Sequence, residues 1–161
     1  MRTRILITIG DYNGIGPEII LKTLKNPKLT TKYDITVITP VEVISYYAKL
    51  LKIKLSADSF NIIPLDTGKI KVNPGKLSAH SGFTAGAAIK TAIELCMQDE
   101  FDAIVTAPIN KKSLNLGGFK FGGHTEMLTA LSGAKDSCMV MLSDVFNIAF
   151  ATTHPPVKKI S

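Results

Sequence analysis

Four times in this chain a short, nearly unbroken apolar run gives way to residues spaced for a helix. Residues 4–9 lead to a helix over 17–24, and residues 34–39 to one over 40–51. Residues 60–64 precede a helix over 81–98, and residues 103–105 precede one over 125–131. Runs apolar on both faces suit strands covered from both sides, as in a parallel sheet. The second helix carries Val43, Ile44, Tyr47, Leu50 and Leu51 at helical spacing. The third, capped by Ser81, repeats Ala85, Ala88, Ile89, Ala92, Ile93 and Cys96 in the same way, its alanines small enough to sit close on a sheet. Residues 70–72 are a further candidate strand. This alternation predicts an α/β fold with a mostly parallel sheet and flanking helices. Residues 137–142 and 146–151 read instead as two strands joined by Ser143, Asp144 and Val145. They mark the start of a second unit, which divides the chain into 1–132 and 133–161.

Composition narrows the class. The chain has 161 residues, 45% apolar and 20% charged, as in a folded domain with a real core. No apolar run approaches the roughly 20 residues of a membrane span. The N-terminus lacks the apolar stretch and cleavage site of a signal peptide. Cys96 and Cys138 lie in apolar surroundings and read as reduced core residues of a cytoplasmic protein. The net charge of +6 favours anionic partners such as phosphorylated metabolites. Nucleic acid fits poorly: the lysines are scattered and the only arginines are Arg2 and Arg4.

Three stretches carry candidate chemistry. Gly10-Asp11-Tyr12-Asn13-Gly14-Ile15-Gly16 follows the first strand, and Pro17-Glu18 opens a helix. This spacing suits either an anion at the helix start or a tight turn with no ligand; it is not the dinucleotide fingerprint. The second stretch runs from Asp102 to Glu126. It leaves the strand at Ala107-Pro108, passes Asn110, Lys111 and Lys112, crosses two Gly-Gly pairs, and reaches His124, Thr125 and Glu126 at a helix start. A strand end, a loop and a helix start make a small-molecule site in an open α/β sheet. His124 with Thr125 suits a phosphate or carboxylate; a cap with a solvent-facing imidazole fits the local sequence equally well. In the third stretch, His154 ends the run Ala151-Thr152-Thr153 ahead of Pro155-Pro156. It is a candidate metal ligand or an exposed loop histidine, and one histidine does not make a metal site. His80 reads as a surface or cap residue. Ser113, Ser132 and Ser143 lack the Gly-x-Ser-x-Gly setting of a nucleophile, and there is no P-loop or paired-cysteine zinc pattern.

Four motifs stand in order along the chain: Gly10-Asp11 with Gly14-Ile15-Gly16-Pro17-Glu18, Thr106-Ala107-Pro108-Ile109-Asn110-Lys111, Gly123-His124-Thr125-Glu126, and Ala151-Thr152-Thr153-His154. Together they resemble the 4-hydroxythreonine-4-phosphate dehydrogenase family across essentially the whole chain. The resemblance implies an isocitrate/isopropylmalate dehydrogenase-like fold of two α/β domains. It implies NAD- or NADP-dependent oxidation of a phosphorylated substrate's secondary alcohol, then loss of carbon dioxide. It assigns substrate binding to His124 and Thr125 and a divalent metal (Zn, Mg or Co) to His154, in a homodimer. It also implies a chain about twice as long, of two-domain size, so these residues alone are expected neither to bind metal tightly nor to turn over. Tyr12-Asn13 stands where the family commonly has Pro-Ala, and Pro155 where it usually has an apolar residue. Related activities stay open: dehydrogenation of threonate or erythronate phosphate, phosphate acyl transfer on the same broad fold, or phosphate binding without redox chemistry.

Overall fold

A computed structural model describes residues 2–54, 59–152 and 158. Its centre is a four-stranded parallel sheet in the order β3-β2-β1-β4, built from β1 (Thr3–Thr8), β2 (Tyr33–Thr39), β3 (Asn61–Pro64) and β4 (Ala103–Thr106). The apolar runs are the strands, in register with Ile5 beside Ile35 and Ala103, and Ile7 beside Val37 and Val105. β1 sinks from exposed Thr3 to buried Leu6, Ile7 and Thr8, so its carboxyl end lies in the core. At the other end, the Arg4 guanidinium pairs with the Asp102 carboxylate at 2.7 Å and ties β1 to the entry of β4.

Right-handed crossovers dictate the layers. The helices α1 (Gly16–Leu24) and α3 (Val41–Leu50) follow β1 and β2 and pack on each other. The chain then returns through α4 (Ala79–Met97) to reach β4 on the far side of β1, which places α4 on the opposite face. α4 packs against β1, β2 and β4, and outward against α5 (Lys111–Leu116) and α6 (His124–Ser132). Its small residues serve both sides. Ala88 and Ala92 join the sheet core, whereas Gly82 faces α5, where an added Cβ would stand 1.7 Å from the Ser113 carbonyl oxygen. A second, smaller apolar cluster of Ile89, Ile93, Leu114 and Met127 holds α5 and α6 to α4.

Several local expectations need correction. α4 starts at Ala79, capped by Ser78 in extended geometry; the Ser81 N–H donates to the Ser78 hydroxyl at 3.3 Å, so Ser81 is the capped residue. Residues 70–72 form no strand, and Ile70 and Val72 instead pack against the core. Two unforeseen short helices, α2 (Pro27–Lys32) and α5, are capped by Asn26 and Asn110. The terminal strands are shorter than expected: β5 (Met139–Met141) and β6 (Ile148–Phe150) form an antiparallel pair outside the main sheet, with exposed Val140, Met141, Leu142, Val145 and Phe146. Cys138 beside them is exposed rather than core, and Cys96 is half-buried. No helix among the described residues is long and apolar enough to cross a membrane.

Candidate functional site

β1 lies between β2 and β4, so the connections leaving the carboxyl ends of β1 and β4 diverge to opposite faces of the sheet. Open α/β sheets bind ligands in the crevice such a divergence leaves. Here the crevice has two parts on either side of Pro108 and Ile109.

The first part is the β1–α1 turn. Gly10 has φ +69°, and a Cβ there would lie 2.4 Å from the Pro108 carbonyl oxygen, so only glycine lets the two strand ends come together. The Asp11 N–H donates to that oxygen at 3.0 Å, and the Gly14 N–H donates to the Asp11 carbonyl at 2.9 Å. The Asn13 N–H donates to the Asp11 carboxylate at 2.9 Å. Three N–H groups of the turn are thus engaged, as a tight turn requires, while α1 behind it begins after Ile15 with no side-chain cap. Its cleft, about 320 Å³, presents the Asp11 carboxylate together with Lys76 and Asn110.

Tyr12 and Asn13 fasten this turn to the rest of the molecule. Asn13 is 3% exposed. Its side-chain oxygen accepts the Asn73 N–H at 2.8 Å, its amide nitrogen donates to the Lys76 carbonyl at 3.1 Å, and its own carbonyl accepts the Gly75 N–H at 2.7 Å. Tyr12 is fully buried, and its carbonyl accepts the Tyr47 hydroxyl at 2.8 Å. The Tyr12 hydroxyl meets His80 Nδ1 at 2.8 Å, and His80 Nε2 meets the Thr67 carbonyl at 2.7 Å. A carbonyl can only accept, so the His80 Nε2 position carries a proton, and its Nδ1 is bonded to the Tyr12 hydroxyl. Burial first, then the charge of Asp11, push the Tyr12 hydroxyl above its ordinary value, which keeps it a donor. His80 is therefore a half-buried link between two loops rather than a surface residue.

The second part is the mouth of α6. The helix begins after Gly123 with no side-chain cap, which leaves first-turn N–H groups available. The Glu126 carboxylate turns back and accepts the Gly122 N–H at 2.6 Å. Lys111 leans over the helix start: a Cβ on Gly123 would lie 3.5 Å from its Cε and 3.8 Å from its Nζ. Lys111 forms no ion pair among the described residues. His124 Nε2 is buried without a hydrogen-bond partner among them. Burial pushes the His124 imidazole below its ordinary value, against a backbone hydrogen bond with Ala107 that pulls it up. A cleft of about 400 Å³ joins Lys111, His124 and Thr125 to the Pro108–Ile109 wall.

The structure thus brings His124 and Thr125 together and adds Lys111, which directly follows the helix-capping Asn110 in the sequence. His154 lies outside the described residues. Among the described residues no three histidine, cysteine or carboxylate side chains converge, so they supply no metal's ligand set on their own. The stretch holding Asp11, Tyr12 and Asn13 was legible as a candidate, but the links of Tyr12 to His80 and of Asn13 to Asn73 were not, because these partners lie far along the chain.

Comparison with known proteins is consistent with this geometry. The family model described as "Pyridoxal phosphate biosynthetic protein PdxA" matches residues 18–161. The chain is 37% identical over 161 residues to the D-threonate 4-phosphate dehydrogenase of Cupriavidus necator, covering 92% of this chain and 48% of that one. It is 32% identical over 172 residues to the 4-hydroxythreonine-4-phosphate dehydrogenase of Bacteroides thetaiotaomicron, covering 99% and 47%. The crystal structure of a 4-hydroxythreonine-4-phosphate dehydrogenase from Burkholderia phymatum superposes with TM-score 0.86 at 29% identity, over 97% of this chain and 51% of that one. A terephthalate 1,2-cis-dihydrodiol dehydrogenase from Burkholderia xenovorans, at 21% identity and TM-score 0.76, shares the fold alone. The chain spans about half the length of the relatives it matches.

Proposed function

Because this chain belongs to the pyridoxal phosphate biosynthetic protein PdxA family, we propose that it forms part of a dehydrogenase acting on a phosphorylated four-carbon acid. The observation that carries this reading is the α6 mouth. His124, Thr125 and Lys111 surround an uncapped helix start that has unmet bonding capacity for an anion. On this reading the phosphate sits against the α6 N–H groups and Lys111, where the helix dipole and the ammonium act together. The His124 imidazole and the Thr125 hydroxyl then orient the substrate.

The preferred substrate is 4-(phosphooxy)-L-threonine. Its secondary alcohol carbon gives a hydride to NAD or NADP, and its oxygen gives up a proton. The product, 2-amino-3-oxo-4-(phosphooxy)butanoate, carries a ketone β to the carboxylate and loses carbon dioxide to form 3-amino-2-oxopropyl phosphate. His154 is our proposed ligand for a divalent cation. A homodimer remains part of the reading, and the exposed apolar β5–β6 hairpin is consistent with further protein covering it. D-threonate 4-phosphate is a second candidate substrate, because the name of the Cupriavidus necator relative specifies it.

The test is nicotinamide reduction by the complete protein with each acid. Reduction with neither would refute the proposal. His124→Ala should lower kcat/KM by roughly tenfold to a hundredfold, the equivalent of losing a charge-assisted hydrogen bond of about 1.5–3 kcal/mol. If His154→Ala left the rate unchanged, the metal assignment would fail.

A further inference from the structure

Glu126 closes the motif Gly123-His124-Thr125-Glu126, and a carboxylate is an unexpected group beside an anion site. Its contacts give it a different task. One oxygen accepts the Gly122 N–H at 2.6 Å, and both lie over Gly122, where an added Cβ would meet each of them at 2.6 Å. Glu126 is the third residue of α6, and from there it reaches back past the helix start, much as the glutamate of a capping box does.

Asn115 makes a second tie from the α5 side. Its side-chain amide donates to the Lys111 carbonyl at 2.8 Å and to the Phe121 carbonyl at 3.2 Å. An amide nitrogen carries two N–H groups, so both bonds can be made at once. Between the two ties, Phe119 fills a notch on α4. A Cβ on Gly86 would stand 2.1 Å from the Phe119 ring, and the Phe83 ring lies 6.2 Å from it, centroid to centroid. The Phe119 N–H also donates to the Leu114 carbonyl at 3.1 Å. Residues 117–123 are thus fastened to α5 by Asn115, to α4 by Phe119 and to α6 by Glu126.

This segment sets the shape of the mouth. Lys111 stands before it and Gly123 at its end, and the fold of the segment brings the lysine over the helix start. Asn115 and Glu126 are exposed, so their bonds add little to global stability. Their use is local: a segment already held in place avoids the entropy cost of ordering it when a ligand arrives. Building on the reading of α6 as the phosphate end, we propose that Asn115 and Glu126 are positioning residues. They hold Lys111 and the α6 N–H groups in one arrangement before the anion binds, and they act without touching it.

The test is calorimetric binding of inorganic phosphate to the complete protein, with urea unfolding alongside. Asn115→Ala and Glu126→Ala should each weaken phosphate roughly threefold to tenfold, the range of one lost hydrogen bond, with nearly unchanged urea midpoints. Glu126→Gln keeps an oxygen for the Gly122 N–H and removes a negative charge, so it should bind phosphate at least as tightly as the parent. Asn115 acts through Lys111, so Asn115→Ala should have little further effect once Lys111→Ala is in place. Equal tightening by Gln and Ala at position 126 would mean that the carboxylate merely repels the anion, and would overturn the proposal. So would parental binding in both alanine variants, or an undiminished effect of Asn115→Ala in the Lys111→Ala background. If His124→Ala and Lys111→Ala themselves left phosphate binding unchanged, the reading of α6 would fall, and this proposal with it.

Discussion

The turn after β1 and the mouth of α6 sit on either side of the same two residues, Pro108 and Ile109, and they handle their polar groups in opposite ways. The turn spends much of its bonding capacity internally: the Asp11, Asn13 and Gly14 N–H groups are bonded, and Asn13 reaches across to the 73–76 loop, while α1 behind it starts without a side-chain cap. The α6 mouth leaves capacity unmet, with an uncapped helix, an unpartnered buried imidazole nitrogen and an unpaired lysine among the described residues. A satisfied turn makes a rigid wall, and an unsatisfied helix start makes a binding surface. Mutations in the turn should therefore register mainly as lost stability, and mutations at the mouth mainly as lost binding.

The harshest way to break this contrast is Gly10→Ala. The residue would be forced to hold φ +69° with its Cβ 2.4 Å from the Pro108 oxygen. The left-handed conformation alone costs about 1–2 kcal/mol, and separating the strand ends adds to it. We expect about 3 kcal/mol or more from urea unfolding, in line with strained-backbone substitutions. A loss below about 1 kcal/mol would mean that the turn opens freely. Asn13→Ala should come next, at about 1–3 kcal/mol for the two part-buried side-chain hydrogen bonds it removes. Its signature is local: the Asn73 and Gly75 amides should exchange with deuterium faster, while the α6 amides stay protected.

This contrast also explains what the sequence could and could not reveal. The strands were legible because Ile5, Leu6 and Ile7, or Ile35, Val37 and Ile38, are apolar on both faces, and that pattern is local. The helix start at His124 and Thr125 was legible because Gly-His-Thr-Glu announces it within four residues. Helices α2 and α5 were missed because six residues are too few to display a helical period; their capping asparagines, Asn26 and Asn110, were the available signal. Choosing Ser78 over Ser81 as the α4 cap depended on backbone geometry, since both are serines. The closed turn was the least visible. Tyr12 finds His80 68 residues away, and Asn13 finds Asn73 60 residues away. No spacing rule records such a pairing.

Acidity probes the mouth more gently. Burial lowers the His124 imidazole below its ordinary value of about 6.5, so the unfolded chain holds this proton more tightly than the folded one. Stability from this residue is then complete above about pH 6.5 and is lost as the pH falls through that value toward the lower folded one. His124→Gln should flatten that part of the stability curve and leave the region above pH 7 nearly unchanged. An identical slope in both proteins would show that the imidazole is not held neutral. Bound phosphate should reverse the shift, because it favours the charged ring.

The smallest stability effect belongs to Thr125→Ala, and it discriminates best between the two regions. Thr125 is exposed, and its hydroxyl makes no hydrogen bond within the chain among the described residues; only its carbonyl is engaged, accepting the Thr129 hydroxyl at 2.7 Å. Removing the hydroxyl should change stability by less than about 0.5 kcal/mol, as for most surface substitutions. Alanine is also an excellent helix residue. Phosphate affinity should nonetheless fall severalfold, because the lost hydroxyl was a donor with no other partner to satisfy. A variant that lost stability while binding phosphate normally would place Thr125 with the closed turn, as part of the wall rather than the surface. Unchanged stability with weakened phosphate binding would keep the wall and the binding surface physically separate.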